Sequence, residues 1–308
     1  MAYQGYLGTY TNSNSKGLYR FTMDDEFHIE IQCFAAVDNP KYVTYVEDYT
    51  ASIVEVDEKG GIALFDDQGT CYQTLLLEDS PATYIVYHNG FLYTANYHLG
   101  SVQIVKVNQR ELNFVKKIEI KEKAGCHQVL FHNNHILVPC LLLDQVYVYD
   151  NFGNYVDTIA FPRGSGPRHG VVSFDQKYLY VVGELDNTLY VVDLDACRIV
   201  SSVNLLKDEP IYKGSAAIRL HGEYLYVSTR YKDVISILKV EEEKVILKDV
   251  ISCFGKHPRD FIVMDDWLMV LNKDSDNLVV IDRHTYKKVS EASVPSGISI
   301  IAKEKSYE

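Results

Sequence analysis

One feature limits what this chain can fold into more than any other: a strand-rich unit recurs along it. PATYIVYHNGFLYTANYHLGSVQIVKV, from Pro81, lines up with PRHGVVSFDQKYLYVVGELDNTLYVVDL, from Pro167. SAAIRLHGEYLYVSTRYKDVISILKV from Ser215 and PRDFIVMDDWLMVLNKDSDNLVVIDR from Pro258 follow the same plan. Each unit reads as an anchor residue, an apolar strand, a turn, a second strand, a short polar loop and a third strand. A more variable fourth strand follows, such as LNFVKKIEI after Val107. The strands are short, β-branched and aromatic, and bounded by Gly, Asn or Asp. The anchors fall at Pro40, Pro81, Cys126, Pro167, Ser215, Pro258 and Pro295, with gaps of 41, 45, 41, 48, 43 and 37 residues. Four strands in a span of roughly 40 to 45 residues is the size of one β-propeller blade. No run of 12 or so residues keeps a helical period.

The two ends set the blade count. Pro295-Ser-Gly-Ile-Ser-Ile supplies only a first strand, whereas the N-terminus begins in mid-repeat, with GYLGTYT as a second strand, GLYRFTMD as a third and HIEIQCF as a fourth. The last strand, Ser296 to Ala302, is therefore expected innermost in the blade that starts near Gly5. Such sharing removes an exposed sheet edge. The expected fold is an all-β, seven-bladed propeller of four antiparallel strands per blade, in a single domain over residues 1–308. Its blades lack the WD signature, since Trp267 is the only tryptophan.

Composition excludes several partners. The net charge is −12, with no basic stripe, so neither nucleic acid nor an anionic membrane surface is an expected partner. No run approaches the roughly 18 uncharged apolar residues of a membrane-spanning helix. The N-terminal residues lack the basic start and apolar run of a secretory signal. Six scattered cysteines (33, 71, 126, 140, 197 and 253), none in a CxxC pair, suit free thiols in a reducing, cytoplasmic setting.

The repeat also locates a site. The start of strand one and the end of antiparallel strand two lie at the same end of a blade. Just after the anchors stand His127, Arg168, His169, Arg259 and Asp260; at the ends of the second strands stand Asn96, Tyr97, Glu184, Arg230 and Asn272. Thr9, Tyr10 and Tyr49 take the equivalent places in the opening blades. The middles of the same strands are almost all apolar, so ionisable groups gather at one place in the repeat. In an acidic chain, Arg168, Arg230 and Arg259 together suit a carboxylate or phosphate, which arginine holds bidentately. Glu184 and Asp260 are candidate partners for them, and a purely structural ring of salt bridges is the competing reading. His127, in Gly-Cys-His-Gln, is placed for general base work or for polarising a carbonyl. Period-2 alternation turns His169 away from Arg168, and Cys126 away from His127 into the core. No nucleophile elbow, HExxH pair or phosphate-binding glycine loop occurs. Three arginines argue against a metal ion among Asn96, Glu184, Asp260 and Asn272, and no cofactor is expected.

At these residues the chain resembles the seven-bladed propeller lactonase family, which includes the 6-phosphogluconolactonases of propeller type. YLGTYT, LYTANYHLGSV, CHQVLF, GSGPRHGVVSF, LYVVGEL, LYVSTR, HPRDF and NKDSDNLVV carry the resemblance over essentially the whole chain. It implies hydrolysis of a small anionic sugar-acid lactone, with 6-phospho-D-glucono-1,5-lactone of the pentose phosphate pathway as leading substrate. It also admits a muconate-type lactone cyclase or a lactonase for another sugar acid. The His, Arg, Glu and Arg used by the family match His127, Arg168, Glu184 and Arg230. Arg259 matches the HPRDF arginine, and His169, Asn96, Tyr97, Asn272 and Asp260 join it as candidate substrate contacts. VPCLLLD departs from the VPDLG-like run of many relatives, placing Cys140 and Leu142 where an aspartate and a glycine stand and removing a polar group from the channel mouth. GEL and STR replace Asn-Glu-Leu and Ser-Asn-Arg but keep the charged residue. Whether His127 or Glu184 activates water stays open at this level. A non-enzymatic interaction propeller is the alternative of a different class.

Overall fold

The computed structural model describes residues 3–206 and 213–304. The strands of the N-terminal half are β1 (Tyr3–Thr9), β2 (Leu18–Met23), β3 (Ile29–Ala35), β4 (Val43–Val46), β5 (Tyr49–Val56), β6 (Lys59–Phe65), β7 (Cys71–Glu78), β8 (Tyr84–His88), β9 (Phe91–Asn96), β10 (Ser101–Asn108), β11 (Glu111–Glu119), β12 (Leu130–His132), β13 (His135–Cys140), β14 (Gln145–Asp150) and β15 (Tyr155–Ala160). Those that follow are β16 (Pro167–Val172), β17 (Tyr178–Gly183), β18 (Thr188–Asp193), β19 (Arg198–Asn204), β20 (Ser215–His221), β21 (Tyr224–Thr229), β22 (Val234–Glu241), β23 (Lys244–Ser252), β24 (Pro258–Val263), β25 (Trp267–Asn272), β26 (Asn277–Asp282), β27 (Lys288–Ser293) and β28 (Gly297–Glu304). They make seven four-stranded sheets, as the repeat predicts. The one helical element among the described residues is a 3₁₀ turn, Leu141–Leu143. None of their helices is long and apolar enough to cross a membrane.

Burial follows strand position. The second strands β9, β13, β17, β21 and β25 are buried at every residue after the first. This is why they read as unbroken apolar runs such as LYVVG. The fourth strands, such as β7 and β27, alternate half-buried and exposed residues and carry the polar side chains. Polar outer edges discourage edge-to-edge pairing with other chains.

The chain divides into two compact units. One takes the residues up to Thr94, Gln103–Val115 and those from Cys253 on; the other takes Ala95–Val102 and Lys116–Ser252. In the first unit, β1 pairs with β2 on one side and with β28 on the other, giving the order β28-β1-β2-β3. The last strand thus completes the first blade, as the ends require. It runs Gly297–Glu304 rather than Ser296–Ala302: Ser296 is a turn residue with φ 49°, and pairing continues to Tyr3 opposite Glu304. First strands pack on first strands in succession: β24 on β28, β28 on β4, β4 on β8. Leu7, Phe21, Met269, Leu271, Leu278, Val280 and Ile300 form a core between the β1 and β25 blades. In the second unit β12 packs on β16 and β16 on β20. There Leu137, Val146, Val148, Leu179, Val181 and Val192 fill the space between the two sheets.

Asp260 holds the closing strand in place. Its carboxylate accepts from the Phe261 amide at 2.9 Å and, across to β28, from the Ile300 amide at 3.1 Å. The side chain is buried, so removing it takes a charged acceptor away from both amides. Asp260→Ala is expected to cost about 1–3 kcal/mol of stability. A lower urea midpoint with an unchanged denaturant slope would show it.

Tyr49 departs from expectation. It opens β5 instead of ending a second strand, because β4 is only four residues long and turns at Glu47, φ 52°. That places Tyr49 at the opposite end of the blade from the anchors.

Candidate active site

In several blades the end that carries the anchors is built by a repeated irregularity. β16 pairs Pro167 with Gly183 and His169 with Val182, leaving Arg168 as an extra residue. β24 does the same at Arg259, between Pro258–Asn272 and Asp260–Leu271. β20 bulges between Ser215 and Ile218, and the β28–β1 pair between Gly8 and Thr9. A bulge re-aims the side chain it inserts. The strand alternation that would set Arg168 and His169 on opposite faces is therefore broken at the arginine itself.

Arg168 and Arg230 converge on one carboxylate within the second unit. Glu184 Oε2 lies 2.8 Å from Arg168 Nε, and Glu184 Oε1 lies 2.8 Å from Arg230 Nη2. The arginine side chains are only 3% and 6% exposed, and Glu184 is 21% exposed. Two guanidiniums against one carboxylate leave this cluster a positive charge in a chain of net charge −12. It is anchored from below by backbone. Arg168 Nη1 donates to the Ala216 carbonyl, and Arg230 Nε donates to that of Gly214 at 3.1 Å. The Glu184 amide donates to Gly166 O at 2.8 Å, its carbonyl accepts from Gly214 N at 2.7 Å, and Arg230 N donates to Gly214 O at 2.9 Å. Glycine suits both turns, and at Gly214 it is required. Gly214 has φ 130°, and a Cβ there would stand 2.6 Å from Arg230 O; Gly166 has φ 63°, and a Cβ there would stand 2.7 Å from Leu185 Cγ. Asp144 then pins the Gly166 loop by accepting from Gly164 N and Gly166 N, each at 2.8 Å.

The second half of the cluster is a pair of buried imidazoles. His127 Nδ1 and His169 Nε2 are 3.2 Å apart, and the side chains sit in residues only 6% and 3% exposed. His127 is set by its amide, which donates to Pro139 O at 3.1 Å, and by Gln128, whose Oε1 accepts from Gly170 N at 2.7 Å. Gln128 was hidden in the CHQ motif; only the motif itself signalled it. Tyr97 joins the two halves. Its ring meets that of His127 edge-on at 6.0 Å. Burial pushes its phenol pKa up, the Glu184 charge adds to that, and Arg168 opposes it. Tyr97 therefore stays a neutral hydrogen-bond donor near neutral pH, within the field of both Glu184 and Arg168.

The remaining candidates take other places. Asn96 Oδ1 caps the turn after β9, accepting from His98 N at 3.1 Å and Leu99 N at 3.0 Å. Asn272 Nδ2 donates to Cys253 O at 3.1 Å. Both asparagines are the last residue of a second strand and fully buried, whereas Tyr97, Glu184 and Arg230 are one residue further on. Arg259 and Asp260 belong to the first unit with Asn272. Lys41, Arg259's neighbour there, is lowered in pKa chiefly by burial; Tyr10 and Glu55 oppose this and Arg259 adds to it. Asp260 serves β28 as described above. At the VPCLLLD departure, Cys140 is buried opposite Cys126 with the sulfurs 3.7 Å apart, while Leu142 is 48% exposed.

This geometry can be set beside known proteins. The family described as "Lactonase, 7-bladed beta-propeller" matches residues 4–295. The chain is 30% identical to the 6-phosphogluconolactonase of Bacillus subtilis (strain 168), over 91% of each chain. A crystal structure of a protein from Lactobacillus plantarum superposes with a TM-score of 0.90 at 26% identity, covering 99% of this chain and 100% of that one. The periplasmic gluconolactonase of Pseudomonas aeruginosa shares the fold, with a TM-score of 0.85 at 23% identity over 98% of this chain and 99% of the other.

Proposed function

The chain belongs to the lactonase family of seven-bladed β-propellers, and on that premise we propose that it hydrolyses a sugar-acid lactone, 6-phospho-D-glucono-1,5-lactone first among them. The reading takes the chain as one propeller domain acting in the cytoplasm without metal or cofactor. The observation that carries it is the convergence of Arg168 and Arg230 on Glu184 beside the His127–His169 pair. A carboxylate with a guanidinium nitrogen 2.8 Å from each oxygen is committed to ion pairing. The proton-accepting role in this reading therefore falls to His127, and Glu184 serves to hold the arginines in register. Hydrolysis of a lactone builds negative charge on the carbonyl oxygen, and preorganised cationic donors aimed at that charge are the largest single catalytic contribution in most such sites. Arg168, Arg230 and the neutral Tyr97 phenol are the donors at hand. A strained δ-lactone needs no covalent nucleophile.

The test is hydrolysis of 6-phosphogluconolactone in excess chelator, followed by acid release against the spontaneous rate. Acceleration that survives chelator is the expected result. Equal rates with and without protein would overturn the substrate assignment. A panel holding glucono-1,5-lactone and a muconolactone beside it separates the phosphorylated substrate from other lactones.

A further inference from the structure

The two imidazoles lie within hydrogen-bond distance, His127 Nδ1 to His169 Nε2, with their rings edge-on at 5.0 Å. We infer that His169 is a positioning residue that fixes the tautomer of His127 and makes the pair a single proton-accepting unit, an inference that rests on the lactone reading above. A hydrogen bond between His127 Nδ1 and His169 Nε2 requires one nitrogen to donate and the other to accept. If Nδ1 of His127 donates, its lone pair stands on Nε2, the nitrogen that then takes a proton. His169 in turn carries its own proton on Nδ1 and presents Nε2 as acceptor. This gives a neutral imidazole the place that a carboxylate holds in a nucleophile–histidine–acid triad. The backbone holds the two rings in register: His169 is fixed in β16 opposite Val182, and Gln128 ties the His127 segment to the next residue of that strand, Gly170.

The step balances. Water oxygen bonds to the lactone carbonyl carbon as His127 Nε2 takes its proton, and the carbonyl π pair moves onto oxygen. Collapse of that oxyanion breaks the bond from carbon to the ring oxygen, which takes the proton back from Nε2. The resulting hydroxy acid releases a proton to solvent. Throughout, His127 Nδ1–H stays bonded to His169, and that bond strengthens while His127 is cationic. Both imidazoles cannot be cations and keep it, since each nitrogen would then donate. Acidification should therefore break the pair. The other titratable or charged groups about it are Tyr97 and His98 from the β9–β10 turn, Arg168 and Glu184 from the β16 blade, and Cys126 and Cys140 beside His127.

Three variants test this: His169→Leu, which removes the acceptor; His169→Gln, which restores one in its side-chain oxygen; and His127→Gln as reference. Imidazole ¹⁵N–¹H correlation spectra report directly which nitrogen of His127 is protonated, whether or not the lactone assignment holds. The wild type and His169→Gln are expected to show His127 protonated on Nδ1, and His169→Leu to show a mixture of tautomers. With substrate, His169→Leu should lose at least tenfold in kcat with little change in KM. Its acid limb should move to lower pH, because a bond that favours the imidazolium has gone. His169→Gln should recover most of both. Unchanged tautomer populations in His169→Leu, or His127 protonated on Nε2 in the wild type, would overturn the inference. Correct tautomers with no lactone hydrolysis by any variant would instead overturn the substrate reading alone.

Discussion

Replacing Glu184 with alanine is expected to lower the unfolding free energy by about 3–5 kcal/mol, because it leaves buried charge without a counterion. The carboxylate faces two guanidiniums whose side chains are 3% and 6% exposed. Without it, Arg168 and Arg230 are left as like charges in a largely buried site. Glu184→Gln keeps the shape and one acceptor oxygen but not the charge, and should fall between wild type and alanine. Chemical unfolding of the three proteins, at matched pH and salt, checks the order. Lactone hydrolysis should fall in the same order, since the arginines lose their common orientation. An unchanged midpoint in Glu184→Ala would mean that the arginines find other acceptors and that this cluster is not held as described.

The complementary change separates structure from chemistry. Arg230→Ala leaves Glu184 paired with Arg168, so no buried charge is orphaned and the stability loss should be the smaller of the two. Its effect on turnover should be large: loss of one preorganised donor to a developing oxyanion typically costs about 10²–10³ in kcat. Arg230→Lys retains the charge but not the planar fork that reaches Gly214 O through Nε and Glu184 through Nη2. It should recover only part of the activity. A fall in kcat and kcat/KM together marks an interaction made in the transition state, whereas a rise in KM alone marks ground-state binding. Equal kcat for Arg230→Ala and wild type would remove this arginine from the chemistry.

How much of this was legible in the sequence depends on whether a feature repeats. Four strands per unit and an incomplete unit at each end force the pairing of β28 with β1, because a propeller with an open blade leaves an unpaired edge. That much follows from spacing, and the structure has it. The same spacing brought His127, Arg168, Glu184 and Arg230 to the ends of strands at one end of their blades. The bulge at Arg168 was not legible, since Pro167-Arg168-His169 reads as plain strand. Alternation therefore turned His169 away, and the structure pairs it with His127. Asn96 and Asn272 were grouped with Glu184 and Arg230 because a one-residue offset in a turn is invisible without the register. At that earlier position Asn96 caps its turn and Asn272 bonds Cys253 O, whereas Glu184 and Arg230, one position later, reach the charged cluster. Tyr49 was misplaced for a simpler reason, the short β4 ahead of it.

The central claim is that Arg168, Arg230 and the histidine pair form one site for the acyl group of a sugar-acid lactone. A crystal structure of the protein soaked with 6-phosphogluconate, the hydrolysis product, tests it most directly. The account predicts the product carboxylate within hydrogen-bond distance of an Arg168 or Arg230 guanidinium nitrogen, with a carboxylate oxygen facing His127. Product bound elsewhere on the chain, with the Glu184 cluster untouched, would contradict it.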